Sequence, residues 1–201
     1  MINTIIFDLG AVLIDWNPHY VYRTLFTEEQ EMKDFLANIC TSDWNEEQDA
    51  GRSIQEGTDL LIAQYPEHET NIRAFYGRWV EMLGEPLHGT VEIFRQLKAS
   101  GNYKIYALTN WSAETFPIAL ERFDFLGWFD GVVVSGTEKM RKPAPAFYQL
   151  LLDRYDVKAN EALFIDDNNR NVLAAEKMGI KSIHFTSSEA LEEELKGLEV
   201  L

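Results

Sequence analysis

The sequence predicts an α/β protein with a parallel β-sheet core and a helical domain inserted after the first strand. Short apolar runs alternate with helical segments from Thr90 onwards, which is typical of a parallel sheet covered by helices on both faces. Between residues 15 and 85 the apolar runs give way to helix-start signals. We therefore expect an α/β core of residues 1–14 and 86–201 and a helical cap of residues 15–85.

The first part of the chain predicts a buried strand followed by helices. The apolar run from Thr4 carries the carboxylate of Asp8 to the end of a strand, and the chain turns at Gly10. Three helix-start signals follow, at Asn17-Pro18, Thr27-x-x-Gln30 and Ser53-x-x-Glu56. They predict that the insertion is helical throughout. Because it leaves the core after the first strand and returns near Pro86, it can lie above the strand ends as a lid.

The rest of the chain alternates between strands and helices. The predicted strands cover residues 104–108, 132–134, 163–165 and 180–185. The predicted helices cover residues 90–101, 113–123, 144–155 and 172–178. This alternation predicts a Rossmann-like sheet, on which ligands lie at the carboxyl ends of the strands. Asp8, Thr109 and the Asp166-Asp167 pair all fall at such ends.

The composition predicts a soluble, acidic protein. The 201 residues include 18 Lys and Arg against 33 Asp and Glu, giving a net charge of -15, which repels nucleic acid and anionic membranes. We expect no nucleic-acid or membrane partner and either a monomer or a homodimer. A cytoplasmic location is expected because no basic segment precedes the first apolar run and Asp8 interrupts that run. The one cysteine, Cys40, allows no internal disulfide and is expected in a buried apolar position.

Four segments carry polar groups in a distinctive order along the chain. The order is a carboxylate, a hydroxyl, a lysine and a carboxylate pair, at Asp8, Thr109-Asn110, Arg141-Lys142-Pro143 and Asp166-Asp167-Asn168. Together these segments resemble the four motifs of the haloacid dehalogenase-like hydrolases, over nearly the whole chain from Asn3 to about Phe185. The resemblance implies an α/β core with a helical cap and, as in most members, a magnesium-dependent phosphatase.

Asp8 and Lys142 are the candidate catalytic pair. An aspartate is anionic at neutral pH, so it can attack phosphorus and form an aspartyl-phosphate that is hydrolysed in a second step. Considered alone, Asp8 could instead cap the turn that follows it. Lys142 precedes Pro143, which keeps it out of a helix while its ammonium reaches inward. Considered alone it would be a surface lysine, but in register with the other motifs it indicates a phosphate-binding role.

The Asp166-Asp167 pair is the candidate metal site. Adjacent carboxylates raise each other's pKa unless a cation lies between them. Mg²⁺ prefers one or two carboxylates, waters and phosphate oxygens, so Asp8, Asp167 and a backbone carbonyl near Gly10 could hold it. The alternative is an N-cap cluster for the next helix. The resemblance implies that the second carboxylate, Asp167, touches the metal and that Asp166 supports it.

Candidate substrate-binding residues lie in both predicted domains. The resemblance places the transferring phosphoryl group at Thr109 and Asn110, although threonine is also an ordinary strand residue. In the cap, Arg52 lies beside Gly51 in a short loop and could bind polar oxygens. Aromatic and basic cap residues that could also meet a sugar are Trp16, His19, Trp44 and Trp79. Helical aromatic side chains more often pack in a core, and charged ones are mostly solvated.

Gly10 departs from the family pattern. Most phosphatases of the family carry an aspartate at this position, which protonates the leaving oxygen and then activates water. Such a general acid–base contributes about 10²–10⁴-fold in rate. Three explanations remain open: another residue such as Asp15 or His19 replaces it, the substrate has a good leaving group, or the protein is not a phosphatase. The segment from Asp8 to Val12 resembles a subgroup that contains sugar-phosphate phosphatases, including an α-glucose-1-phosphate phosphatase.

The sequence thus predicts a magnesium-dependent phosphatase that acts on a small phosphorylated metabolite. The preferred substrate class is a sugar phosphate, such as a sugar 1-phosphate. One alternative is a haloacid dehalogenase-type hydrolase, which also lacks the second aspartate but needs no magnesium. Another is a catalytically weak sugar-phosphate-binding protein. A phosphorylation-dependent receiver module is disfavoured by the motif order, because receivers carry the acidic pair early and have no helical cap.

Overall fold

The computed structural model describes the whole chain, residues 1–201. The strands are β1 (Thr4–Phe7), β2 (Ile14–Trp16), β3 (Leu83–Pro86), β4 (Lys104–Thr109), β5 (Gly131–Val134), β6 (Ala162–Asp166) and β7 (Lys181–His184). The α-helices are α1 (His19–Tyr22), α2 (Glu29–Asn38), α3 (Ser42–Asp49), α4 (Ile54–Gln64), α5 (Glu69–Gly77), α6 (His88–Ser100), α7 (Phe116–Arg122), α8 (Ser135–Glu138), α9 (Pro145–Arg154), α10 (Asn169–Lys177) and α11 (Ser188–Gly197).

Five strands form a parallel sheet in the order β5-β4-β1-β6-β7, which confirms the predicted α/β core. β1 is buried along its whole length and lies at the centre, where Phe7 pairs with Ala107 on one side and with Ile165 on the other. The carboxyl ends of β1, β4 and β6 are therefore neighbours at one edge of the sheet. This edge is where ligands bind on parallel sheets.

Side chains of the central strand alternate between two faces of the sheet. Ile5 and Phe7 belong to a cluster of 36 buried apolar residues, whereas Ile6 belongs to a separate cluster of 12. Helices α6 and α11 contribute to the larger cluster, and α9 and α10 contribute to the smaller one. The larger cluster also includes cap residues such as Tyr22 and Phe75, so one continuous apolar core joins the cap to the sheet.

The inserted segment consists of helices α1 to α5 between two short strands. β2 and β3 pair antiparallel, with Ile14 opposite Pro86 and Trp16 opposite Leu83. The prediction that residues 15–85 are helical throughout is therefore wrong at both ends. Because these strands hydrogen-bond to each other where the chain leaves and re-enters the core, they satisfy backbone groups that a free linker would leave unpaired. The expected cap boundaries fall inside this two-stranded sheet.

Of the predicted helix-start signals, the one at Ser53 is confirmed and the one at Thr27 is not. Ser53 caps α4 by accepting a hydrogen bond from the Glu56 N–H, as its capping box predicts. Thr27 caps nothing, because α2 begins two residues later at Glu29 without a side-chain cap. The predicted end of α6 is confirmed by Gly101, which adopts the left-handed conformation with φ of 69°.

The last helix, the cysteine and the hydropathy of the helices complete the description of the fold. Helix α11 is an element that the sequence reading missed, although Ser187 caps it and Leu191 and Leu195 form a buried apolar pair one turn apart. Cys40 is unpaired and buried, as expected. None of the helices has both the length and the apolar character that crossing a bilayer requires.

Candidate active site

Asp8 is the first residue after the central strand, β1. Its backbone N–H donates to the carbonyl of Ile165 at 2.8 Å, and its Oδ1 accepts from the Leu9 N–H at 2.8 Å. These bonds fix the carboxylate at the sheet edge while the chain turns away, with the Leu9 carbonyl accepting from the N–H groups of residues 12–14. The residue is 8% exposed, so the carboxylate is nearly buried yet open to the cavity above it.

Lys142 lies between two carboxylates. Its Nζ is 2.9 Å from Asp8 Oδ1 and 2.7 Å from Asp166 Oδ2, and the residue is 1% exposed. Burial lowers the pKa of Lys142, but the carboxylates of Asp166 and Asp8 act in the opposite direction and raise it overall. The ammonium is therefore charged at neutral pH and lies beside the predicted nucleophile.

Asn110 holds the backbone of Lys142 in place. Its Oδ1 accepts from the Lys142 N–H at 2.9 Å, and its Nδ2 donates to the Lys142 carbonyl at 3.0 Å. This two-point contact joins the end of β4 to the loop before α9 and so positions the buried ammonium. These two contacts engage the side-chain amide of Asn110. Phosphate binding by Asn110 would therefore use other groups of the residue, and it stays a prediction.

Asp166 and Asp167 have different surroundings. The Asp166 carboxylate is fully buried and accepts from the Asn168 N–H at 2.8 Å, from Asn171 Nδ2 at 3.0 and 3.1 Å, and from Lys142. Asp167 forms no side-chain hydrogen bond to the protein, and its residue is exposed. Asp166 is thus held in a network, whereas the oxygens of Asp167 are free to bind a ligand.

The carboxylates of Asp8, Asp166 and Asp167 form a cluster with the chemistry of a magnesium site. One oxygen from each lies within 4.8 Å of the others. Burial raises the pKa of Asp8, and Asp166 and Asp167 raise it further against the opposing effect of Lys142. Burial and then Asp166 likewise raise the pKa of Asp167. A divalent cation bound by oxygen ligands would offset this repulsion, so the carboxylates of Asp8 and Asp167 fit Mg²⁺, whereas the Gly10 carbonyl stays a predicted ligand.

Thr109 carries a polar group without a partner. Its residue is fully buried at the end of β4, and its Oγ1 makes no hydrogen bond within the protein. Thr109 lines neither cavity described below, so its role in binding the phosphoryl group stays a prediction.

The cap meets the core directly above the strand ends. Arg170 of α10 pairs with Glu46 of α3 at 2.8 Å, and Arg141 donates to the Glu46 carbonyl at 2.7 Å and to Glu47 Oε1 at 2.9 Å. On the other side, the Ile54 N–H donates to Glu114 Oε1 at 2.8 Å. These contacts bring the C-terminal half of α3 against the sheet edge.

Two adjoining cavities lie between the cap and the core. The first has a volume of about 180 Å³, and the second, a more apolar cavity, has a volume of about 110 Å³. Residues of the first include Asp8, Asp167, Asn171, Asn45, Asp49 and Trp16. Residues of the second include Gly10, Asp49, Trp16, Tyr76, Trp79 and Trp111. A substrate whose phosphate reaches Asp8 would place its remaining part against these aromatic rings.

The predicted cap residues divide into two groups. Trp16 and Trp79 line the cavities. Trp44 and Arg52 lie outside them: Trp44 Nε1 donates to the Gly57 carbonyl at 3.0 Å, and Arg52 Nε donates to Gln48 Oε1 at 2.6 Å. Arg52 is folded back onto α3, so its proposed contact with substrate would require the side chain to move.

Neither residue considered as a replacement acid lines a cavity at the site. Asp15 accepts a hydrogen bond from the Tyr20 hydroxyl, and His19 lies in a separate groove of the cap with Arg23. The residues that the sequence reading missed are Asn45, Asp49 and Tyr76 of the cap and Trp111 of the core. Only Trp111 had a usable signal, because it directly follows the predicted Thr109-Asn110 motif.

The fold, the three strand-end motifs and the Lys142 loop define the class of protein. The model of the haloacid dehalogenase-like hydrolases matches residues 2–179. The chain therefore belongs to the haloacid dehalogenase-like hydrolases, and it is an enzyme of this hydrolase family.

Three relatives illustrate the similarity. The chain is 31% identical over 193 residues to the sesquiterpene phosphatase astK of Aspergillus oryzae, covering 96% of this chain and 94% of that protein. It is 27% identical over 187 residues to the pyrophosphatase PpaX of Bacillus cereus, covering 90% and 82%. The structure of the enzyme BT-2542 of Bacteroides thetaiotaomicron, in complex with magnesium and inorganic phosphate, aligns with a TM-score of 0.69 at 20% identity, covering 93% of this chain and 96% of that one.

Proposed function

We propose that the protein is a magnesium-dependent phosphatase that hydrolyses a small phosphorylated metabolite through an aspartyl-phosphate on Asp8. The observation that carries this proposal is the position of Asp8 within 2.9 Å of the buried Lys142 ammonium and beside the acidic pair. The phosphatase and pyrophosphatase named among its relatives support the same reaction class.

Asp8 and Lys142 divide the first chemical step. An oxygen of Asp8 attacks phosphorus, and the bond from phosphorus to the leaving oxygen breaks. Lys142 stabilises the negative charge on the transferring phosphoryl group, and the Thr109 hydroxyl donates to one of its oxygens and gains the partner that it lacks. Mg²⁺, held by Asp8, Asp167 and the Gly10 carbonyl, would neutralise charge on the phosphoryl oxygens. Water then attacks phosphorus, releases phosphate and restores Asp8.

A sugar phosphate, such as a sugar 1-phosphate, is the substrate class that we place first. Trp16, Trp79 and Trp111 line the second cavity, and aromatic faces pack well against the apolar side of a sugar ring. Asn45 lines the same cavity and adds a polar group to its wall. The oxygen of an anomeric phosphate also leaves more readily than a simple alkoxide.

A terpenyl phosphate is a second candidate, supported by a different observation. Four aromatic residues, Trp16, Tyr76, Trp79 and Trp111, line the second cavity, and their rings would suit a hydrocarbon chain as well as a sugar. The sesquiterpene phosphatase relative is similar over nearly its whole length. The two candidates differ in polarity, so a substrate comparison separates them.

A substrate screen that measures released phosphate tests the proposal. The panel would contain sugar 1-phosphates, sugar 6-phosphates, terpenyl phosphates and a chromogenic aryl phosphate, each with Mg²⁺ and with EDTA. We expect magnesium-dependent release, fastest for a sugar phosphate. Turnover of 2-chloropropionate in EDTA would instead support the dehalogenase alternative, and tight binding of sugar phosphates without release of phosphate would support the weak binder.

A further inference from the structure

The space beside Asp8 is open at Gly10, the position where the family resemblance implies a catalytic aspartate. A β-carbon placed on Gly10 would meet no heavy atom within 4 Å, and Gly10 itself lines the second cavity. The leaving group of a substrate bound at Asp8 could therefore extend past Gly10 towards the cap. Any acid that reaches this leaving group must come from another part of the chain.

Asp49 is the only carboxylic acid that lines both cavities of the site. It is the last residue of α3, and it lines the first cavity with Asp8 and the second cavity with Gly10. No other acidic residue lines the second cavity. Asp49 therefore lies where the two cavities join, which is where the leaving oxygen of a bound phosphate ester would lie.

Hydrogen bonds fix the position of Asp49. Its Oδ2 accepts from Asn45 Nδ2 at 3.0 Å, and Asn45 Oδ1 in turn accepts from the Tyr76 hydroxyl at 2.8 Å. Its backbone carbonyl accepts from the hydroxyl of Ser135, a fully buried core residue. The carboxyl group is thus oriented by the cap and anchored to the core, and Asn45 and Tyr76 are its positioning residues.

The surroundings of Asp49 favour its protonated form. Burial raises the pKa of Asp49 to about 7, and the charge of Glu46 adds to this effect. The N–H of Ser112 and the charge of Arg141 lower it by less. A carboxyl group whose pKa lies near neutral can both give and take a proton at that pH.

The other acidic groups near the site are already engaged. Glu46 pairs with Arg170 at 2.8 Å and with Arg141 at 3.6 Å, and so it is held at the edge of the cap. Asp166 is buried in its network, and Asp167 belongs to the metal site. Asp49 is the remaining carboxyl group with access to the leaving group.

We propose that Asp49 is the general acid and base of this enzyme, supplied by the cap in place of the aspartate absent at Gly10. As the bond from phosphorus to the leaving oxygen breaks, the Asp49 carboxyl gives its proton to that oxygen. The resulting carboxylate takes a proton from the water that attacks the aspartyl-phosphate, which restores the acid. This role rests on the proposed phosphatase function, and it requires the cap to be closed on the core during both steps.

The test measures kcat/KM for a series of aryl and alkyl phosphates, too small to fill the aromatic cavity, whose leaving groups span a range of pKa. This parameter reports the steps up to formation of the aspartyl-phosphate. With Asp49 as acid, the wild-type enzyme should depend weakly on leaving-group pKa. Asp49→Asn should lower kcat/KM for alkyl phosphates by about 10²–10⁴-fold and affect activated aryl phosphates far less. Asp43→Asn, an exposed position on the same helix, is the matched control and should match wild type.

Each outcome decides between the two proposals. If Asp49→Asn keeps the wild-type dependence on leaving-group pKa, Asp49 is not the acid, although the phosphatase function stands. If Asp49→Asn fails to fold, the wild-type series alone decides, because a steep dependence would show that no acid protonates the leaving group. If wild type and Asp43→Asn release no phosphate from any ester with Mg²⁺, the phosphatase function itself is wrong, and the role of Asp49 falls with it.

Discussion

At the scale of single residues, the site depends on one buried cation. Lys142 forms ion pairs with both Asp8 and Asp166, two carboxylates that are themselves nearly or fully buried. The chain brings these three charges together from β1, β6 and the loop before α9, and Asn110 fixes the lysine backbone. Breaking a buried ion pair is costly because it leaves an uncompensated charge behind.

Replacing Lys142 should therefore affect both stability and turnover. We expect Lys142→Met to lower the free energy of unfolding of the metal-free protein by about 3–5 kcal/mol, because Asp8 and Asp166 then lie unpaired. Urea denaturation with EDTA measures this loss. Adding Mg²⁺ should recover part of the stability but not the activity. A variant as stable as wild type would show that the ammonium does not compensate the two carboxylates.

Asp49 predicts a pH dependence of stability with a definite sign. Its folded-state pKa, about 7, lies above the usual value for aspartate, so the folded state holds this proton more tightly than the unfolded state. Its carboxylate therefore costs stability as the pH rises from about 4 through 7. Asp49→Asn removes this cost, so its advantage in Tm over wild type should grow across that range. A constant difference in Tm between pH 4 and 8 would contradict the raised pKa.

At the scale of elements, the sequence predicted the strands of the core well and the cap poorly. Strand β1 and the ends of β4 and β6 are apolar runs that stop at polar residues, so Asp8, Thr109 and Asp166 could be placed at one sheet edge without a structure. The pairing of β2 with β3 joins segments about seventy residues apart, and local pattern carries no information about such contacts.

The cap residues of the site could not be predicted either, because their positions also depend on long-range contacts. Which face of α3 meets the core depends on contacts such as Arg170 with Glu46 and Ser135 with Asp49, which form only when both domains are folded. The sequence therefore favoured Arg52, whereas Asn45 and Asp49 line the cavities. The strand-end half of the site was predictable, and the cap half required the tertiary structure.

Two predicted helix-start sequences of the inserted domain, at Ser53 and Thr27, allow a comparison of matched variants. Ser53 accepts a hydrogen bond from the Glu56 N–H at the start of α4, whereas Thr27 caps no helix. We expect Ser53→Ala to lower the free energy of unfolding by about 1 kcal/mol and Thr27→Ala to change it by much less. Urea denaturation measures both. Equal losses would show that the local start of α2 differs from the one described.

At the scale of the whole molecule, the enzyme is a sheet edge closed by a helical cap. The core supplies Asp8, Lys142, Thr109, the acidic pair and Trp111, and the cap supplies the other aromatic rings of the cavity wall and Asp49. Apolar packing continues from the sheet into the cap, and ion pairs at the rim hold the two together. Such closure excludes water from the site and strengthens the electrostatic interactions within it.

Metal binding should stabilise this assembly as well as activate it. A cation that binds the folded state alone raises Tm with its concentration, and Asp8, Asp166 and Asp167 provide the repulsion that it relieves. We expect Mg²⁺ to raise the Tm of wild type and EDTA to abolish phosphate release. Asp167→Ala should fold normally, but Mg²⁺ should neither raise its Tm nor activate phosphate release. An Asp167→Ala protein whose Tm still rises with Mg²⁺ as in wild type would place the metal elsewhere.

The central claim is that Asp8 is the nucleophile of a phosphatase, and phosphate release by Asp8→Asn tests it most directly. The two side chains are nearly isosteric, but an amide is a poor nucleophile, so the variant should fold like wild type and release no phosphate. The measurement compares purified wild type and Asp8→Asn on the same aryl phosphate with Mg²⁺, with circular dichroism to establish that both are folded. Magnesium-dependent release by wild type that disappears in Asp8→Asn is the predicted result. Substantial release by the folded variant would contradict the account.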